Sequence, residues 1–155
     1  MSYEIVELPH SGKHAKIYTI YSDKINNTLY HQFIQNNIGN YRDEVRDIVN
    51  TLEKMGKQKG VAQHLIKDNE GSPGEGIVAL FDNPDRDLRL YGIRFGSGII
   101  ILGDGGVKNV RAWQDAPLLK AKVNELQKIS KLINIKISEG DIKLSDDEIS
   151  GDFIL

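Results

Sequence analysis

An α+β fold follows from three features of the chain. Two β-rich runs come first, YEIVEL at 3–8 and AKIYTIY at 15–21, separated by PHSGKH. The apolar residues then change to helical spacing for two stretches. Compact apolar runs return after that, before a last helical stripe. Grouped strands and grouped helices, rather than strict alternation, predict helices segregated on one face of an antiparallel sheet: a helix hairpin packed on it, with a C-terminal helix.

Taken in order, 3–8 and 15–21 form a first hairpin. In residues 22–39, Ile25, Leu29 and Phe33 fall four apart, with Ser22 or Asp23 as N-cap and Gly39 as stop. Residues 41–56 carry Val45, Ile48, Val49, Leu52 and Met55 on one helical face, with Gly56 as the end. The short link between these helices predicts an antiparallel pair. A polar, glycine-containing connection follows, in which HLI at 64–66 is the one strand-like fragment. GIVALFD (76–82), LRLYGIRF (88–95) and IIIL (99–102) then make a three-stranded meander turned by NPDRD and GSG. IIIL lacks polar alternation and reads as a central strand covered on both faces. GDGGV after it reads as a glycine-rich loop. Asp115 caps the last helix, Pro117 sits in its first turn, and Leu119, Val123, Leu126, Ile129 and Ile133 form its stripe. Residues 139–155 form a tail with Glu139, Asp141, Asp146, Asp147, Glu148 and Asp152 against Lys143, ending in FIL. It adds a strand, packs against the domain where its charge offsets the field of the basic hairpin, or remains a solubilising extension.

The 155 residues fit one domain, 1–155, with a sizeable core. A formal net charge of −2 supplies no global positive field for nucleic acid or membrane, so any basic site must be local. The absence of cysteine excludes disulfides, thiolate nucleophiles and Cys-bound metals, and is in keeping with a cytoplasmic location. No apolar run approaches the roughly 20 residues of a membrane helix, and the N-terminus has no signal-peptide pattern.

His10, His14, His31 and His64 stand in four different contexts without a metal-binding signature, so no metal is expected. GDGGVKNVR lacks the GK[ST] of a phosphate-binding loop, and no nucleotide cofactor is expected either. The basic cluster says more. Arg86, Arg89, Arg94, Lys108 and Arg111 stand against Asp87 and Asp104. Period-two alternation puts Arg89 and Tyr91 on one face, and antiparallel return brings Lys108 and Arg111 back toward Arg89. Cations converging with a phenol suit a phosphodiester, because they bind its oxygens and stabilise developing charge. The alternative is a set of solvated edge charges.

The element order, with LRLYGIRFGSGIIILGDGGVKNVR embedded in it, resembles the RelE/HigB-like toxins of bacterial type II toxin–antitoxin systems over roughly 15–133. The resemblance implies a RelE-like fold and a metal-independent mRNA endonuclease acting on the ribosome, in which the substrate's 2′-hydroxyl attacks the adjacent phosphate. It also implies a cognate antitoxin, for instance a small helix-turn-helix protein. Arg89 matches the family arginine of the middle meander strand, and Lys108 and Arg111 match its basic segment. Arg89, Lys108 and Arg111 are therefore the expected catalytic cations, with Tyr91 as proton carrier. His64, Lys67 and Arg94 are the expected RNA contacts. Val78 and Leu80 stand where some members carry lysines, and Trp113 and Asp115 stand where some carry a tyrosine. These departures, with the acidic balance, favour a second reading: a non-catalytic protein-binding module or a gyrase-directed ParE-type toxin of the same fold.

Overall fold

A computed structural model describes residues 2–61, 66–67, 75–81, 85–108 and 116–155. Among these, β1 (Tyr3–Glu7), β2 (Lys16–Ser22) and β3 (Asn27–Thr28) precede α1 (Leu29–Asn37) and α2 (Arg42–Lys54). A π-helical turn, Met55–Lys59, extends α2. Then come β4 (Ile66–Lys67), β5 (Ile77–Leu80), β6 (Leu88–Phe95), β7 (Ile99–Val107), α3 (Pro117–Ser138), β8 (Ile142–Leu144) and β9 (Ile149–Gly151). The main sheet runs β1-β2-β7-β6-β5-β4, with β3 paired to β2. Its ladders are antiparallel except β2 against β7, where Lys16 pairs Ile99 in parallel. This is the α+β arrangement expected, with a mostly antiparallel sheet. No helix among the described residues is long and apolar enough to cross a membrane.

The helices do not share one face. Ile17, Val78, Leu80, Leu88, Leu90, Ile100 and Leu102 pack with α1 and α2, through Phe33, Val45, Ile48 and Leu52. Ile77, Ala79, Tyr91, Ile93, Ile99 and Ile101 pack with α3, through Leu119, Val123, Leu126, Ile129 and Ile133. The meander strands are apolar on both sides, so a layer of helix on one side alone would leave half their side chains in water. IIIL is the central, doubly covered strand its composition predicts.

Three boundaries differ from expectation. Helix α1 begins at Leu29, capped by the Thr28 hydroxyl, which accepts from the His31 amide at 3.2 Å. The preceding residues turn instead, through Asn26 at φ 51°, and return Asn27–Thr28 onto β2. Gly56 does not end α2 but lies in its π-helical extension, where a side chain would overlap the His10 carbonyl. GDGGV is strand rather than loop, since β7 runs to Val107. Its glycines admit close neighbours: a β-carbon on Gly103 would meet Leu126 at 3.0 Å, and one on Gly106 would meet Leu119 at 3.4 Å. Asp115 lies outside the described residues, and the N-cap position of α3 is Ala116, without a side-chain bond.

The tail is folded. β8 and β9 pair, Ile142 and Ile149 join the α3-side core, and the final residues run antiparallel along β1. The Ile5 amide donates to the Phe153 carbonyl at 2.9 Å, and the Leu155 amide to the Tyr3 carbonyl at 2.8 Å. Asp147 and Glu148 line a cleft with Glu7, Lys16 and Tyr18. This lies at the β6–β7 turn end of the sheet, where Asp146 packs beside Gly96 and Gly98. The acidic residues therefore do not lie over the Arg89 end.

Candidate functional site

Strand β6 carries Arg89 and Tyr91 on the same, α3-facing side, since Leu88 and Leu90 face α1 and α2. That side is closed. Tyr91 is 1% exposed and Arg89 6%. The Arg89 Nη1 donates to the Arg86 carbonyl at 2.6 Å and to the Leu88 carbonyl at 2.9 Å. A guanidinium held on backbone carbonyls fixes the start of β6 and ties up donors that a phosphate would otherwise take.

Register puts Lys108 at the Arg89 end. Arg89 pairs Gly106, and the Lys108 amide donates to the Asp87 carbonyl at 2.8 Å. Arg94 pairs Ile100 near the opposite end of the hairpin. Five residues of strand separate it from Arg89, about 17 Å. Lys67 is exposed on the edge strand β4, opposite Ala79, which in turn opposes Tyr91. Two strand spacings, roughly 9.6 Å, lie between the Lys67 and Tyr91 backbones. Arg111 and His64 fall outside the described residues.

The charged residues beside Arg89 have partners on all three helices. Arg86 pairs with Asp47 and lies 5.9 Å from the centre of the Phe81 ring. Glu44 accepts from the Asp87 and Leu88 amides at 3.0 and 3.2 Å. Asp104, buried in β7, takes the Lys122 ammonium at 2.5 Å, the Gln32 amide at 2.6 Å and the Gly105 amide at 2.7 Å. Spacing along the chain gives no notice of these partners, which come from other elements.

Sequence reasoning also missed a cluster joining the first hairpin to α2. His10 Nδ1 lies 2.8 Å from a Glu53 oxygen, and its Nε2 lies 3.1 Å from the Tyr30 hydroxyl. Lys57 bonds the other Glu53 oxygen at 2.8 Å. Lys57 first, then His10, holds the Glu53 carboxyl below its usual range, while burial pushes the Tyr30 hydroxyl well above its own. With Nδ1 donating to Glu53, the imidazole accepts from Tyr30, and the three groups clamp the 8–15 loop to α2. Among the described residues no three metal-ligating side chains are grouped. An open groove of about 640 Å³ between α1, α3 and β1 is lined by Lys24, Gln32, Lys122, Glu125 and Lys128, among others, and does not reach Arg89. No family model, curated protein or solved structure matches this chain.

Proposed function

We propose that this chain is a RelE/HigB-like toxin-fold protein of the cytoplasm that acts by binding a protein rather than by cleaving RNA across its sheet. The observation that carries this reading is the closure of the β6 face: Tyr91 is 1% exposed and Arg89 6%. A general acid must come within about 3 Å of the proton it transfers, and a buried phenol beneath a packed helix offers no such approach. The partners fitting this reading are a cognate antitoxin, such as a small helix-turn-helix protein, and a target protein of the gyrase kind.

The ribosome-dependent mRNA endonuclease is the second reading, favoured by one observation. Lys108 continues the β7 ladder at the Arg89 end, the position that the family resemblance assigns to a catalytic cation. Inducing the soluble protein and mapping cleavage of ribosome-bound mRNA separates the two. The binding reading expects co-purification with a partner protein and intact mRNA. Cleavage that disappears in folded Lys108→Ala or Arg111→Ala would replace it with the endonuclease reading.

A further inference from the structure

Positive charge in excess of its carboxylate partners collects at the end of the sheet opposite Arg89. The β1–β2 loop brings Lys13, and the end of α2 with its π-helical turn brings Lys54, Lys57 and Lys59; all four are exposed. The two segments meet backbone to backbone. The His14 and Ala15 amides both donate to the Gly56 carbonyl, at 2.9 and 3.3 Å. A β-carbon on Gly12 or Gly56 would overlap the backbone of the other segment, so only glycine permits the approach. The His10–Glu53 contact, at 2.8 Å, closes it from the side. Lys16 is not part of this group, because it shares a cleft with Glu7, Asp147 and Glu148.

Among the described residues Glu53 is the carboxylate that meets this group, and it bonds Lys57 alone of the four lysines. A helix C-terminus carries about half a negative charge, which one lysine offsets. The remaining cations exceed what the fold needs. They are also unlike Arg86 and Arg89, whose charges are taken up by Asp47 and by backbone carbonyls.

We propose that this surface binds the phosphate backbone of RNA without reading its sequence, independently of the toxin reading. Lysines are point charges suited to a repeating polyanion, whereas a phosphopeptide site would favour the arginine fork, absent from these two segments. A lipid surface would need apolar anchors. Among the described residues the exposed large apolar side chains, Ile38, Leu118, Leu132, Ile135, Leu144 and Ile154, all lie elsewhere.

The test is fluorescence anisotropy of the full chain with a labelled single-stranded RNA of about 20 nucleotides, across a salt series. Three backbone contacts predict an affinity that falls roughly twentyfold between about 50 and about 200 mM salt. Lys13→Ala/Lys54→Ala/Lys59→Ala should weaken binding and nearly flatten that dependence. A control of equal charge change, Lys120→Ala/Lys131→Ala/Lys143→Ala, should keep both. Absence of binding at the lowest salt, an unaffected triple variant, or equal loss in the control overturns the proposal. Equal affinity for phosphatidylserine vesicles would overturn its assignment to RNA. Circular dichroism of each variant verifies that it is folded.

Discussion

Gly105 of β7 lies directly beneath the carbonyl of Arg89, so close that a β-carbon there would overlap the oxygen. The collision is with backbone, which cannot swing aside as a side chain can. Gly105→Ala should therefore cost about 1–3 kcal/mol, as overpacking in a closed interior does. Gly106→Ala, whose β-carbon would meet Leu119 at 3.4 Å, should cost clearly less. Urea unfolding of the two variants side by side makes the comparison, and equal midpoints would contradict it.

This contact also explains where sequence reading stopped. IIIL and the stripe Leu119, Val123, Leu126, Ile129, Ile133 were legible because burial imposes a period on apolar residues, and the structure buries all of them. GDGGV was not, because glycine signals a turn and a close approach equally well, and only the neighbouring strand and helix decide between them. Helix α1 misled through Ile25, which falls at helical spacing by coincidence and packs toward the α3-side core from a turn. The basic hairpin was legible as charge but not as accessibility. Arg89 turns inward to carbonyls, Asp47 meets Arg86, and the lysines left without carboxylates come from two segments far apart in sequence.

Arg89→Ala should destabilise the fold whatever the protein does. It removes a buried guanidinium and leaves the Arg86 and Leu88 carbonyls without that donor. Leaving buried acceptors unsatisfied costs about 1–3 kcal/mol. Lys108→Ala, half-buried at the strand end, should cost less than Arg89→Ala. Thermal unfolding of both variants must accompany any growth assay, since relief of toxicity by Arg89→Ala would otherwise report lost protein. An Arg89→Ala melting point matching wild type would return Arg89 to the functional candidates.

Asp104 and Lys122 form a nearly closed ion pair, with side chains 2% and 18% exposed. Removing the lysine strands a buried carboxylate with only the Gln32 and Gly105 donors. Lys122→Met should cost on the order of 3 kcal/mol, and Asp104→Leu/Lys122→Met should lie closer to wild type than Lys122→Met alone. A double-mutant cycle by chemical denaturation measures the coupling, and additive losses would show that the pair contributes nothing jointly.

Residues 153–155 cover the outer edge of β1, and their attachment should loosen in acid. Asp152 sits where the tail leaves β9, and its carboxyl is held below its usual range first by Lys136, at 2.5 Å, and then by the Ile154 amide. A lowered folded pKa gives stability that is present above the unfolded value of 3.8 and is lost as pH falls through the folded one. Hydrogen exchange at the Ile5 and Leu155 amides, taken relative to the intrinsic rate at each pH, should therefore accelerate below about pH 4, ahead of the buried amides of β7. Asp152→Asn should bring part of that acceleration to neutral pH, and unchanged exchange would remove Lys136 from the docking. Ending the chain at Gly151 goes further, because it also removes Phe153 from its edge-on contact with Tyr18, with ring centres 6.1 Å apart. The bare β1 edge then presents unpaired amides and carbonyls, a template for another strand. The shortened chain should lose about 2–3 kcal/mol of stability. It should also self-associate at concentrations where the full chain does not, which sedimentation velocity detects.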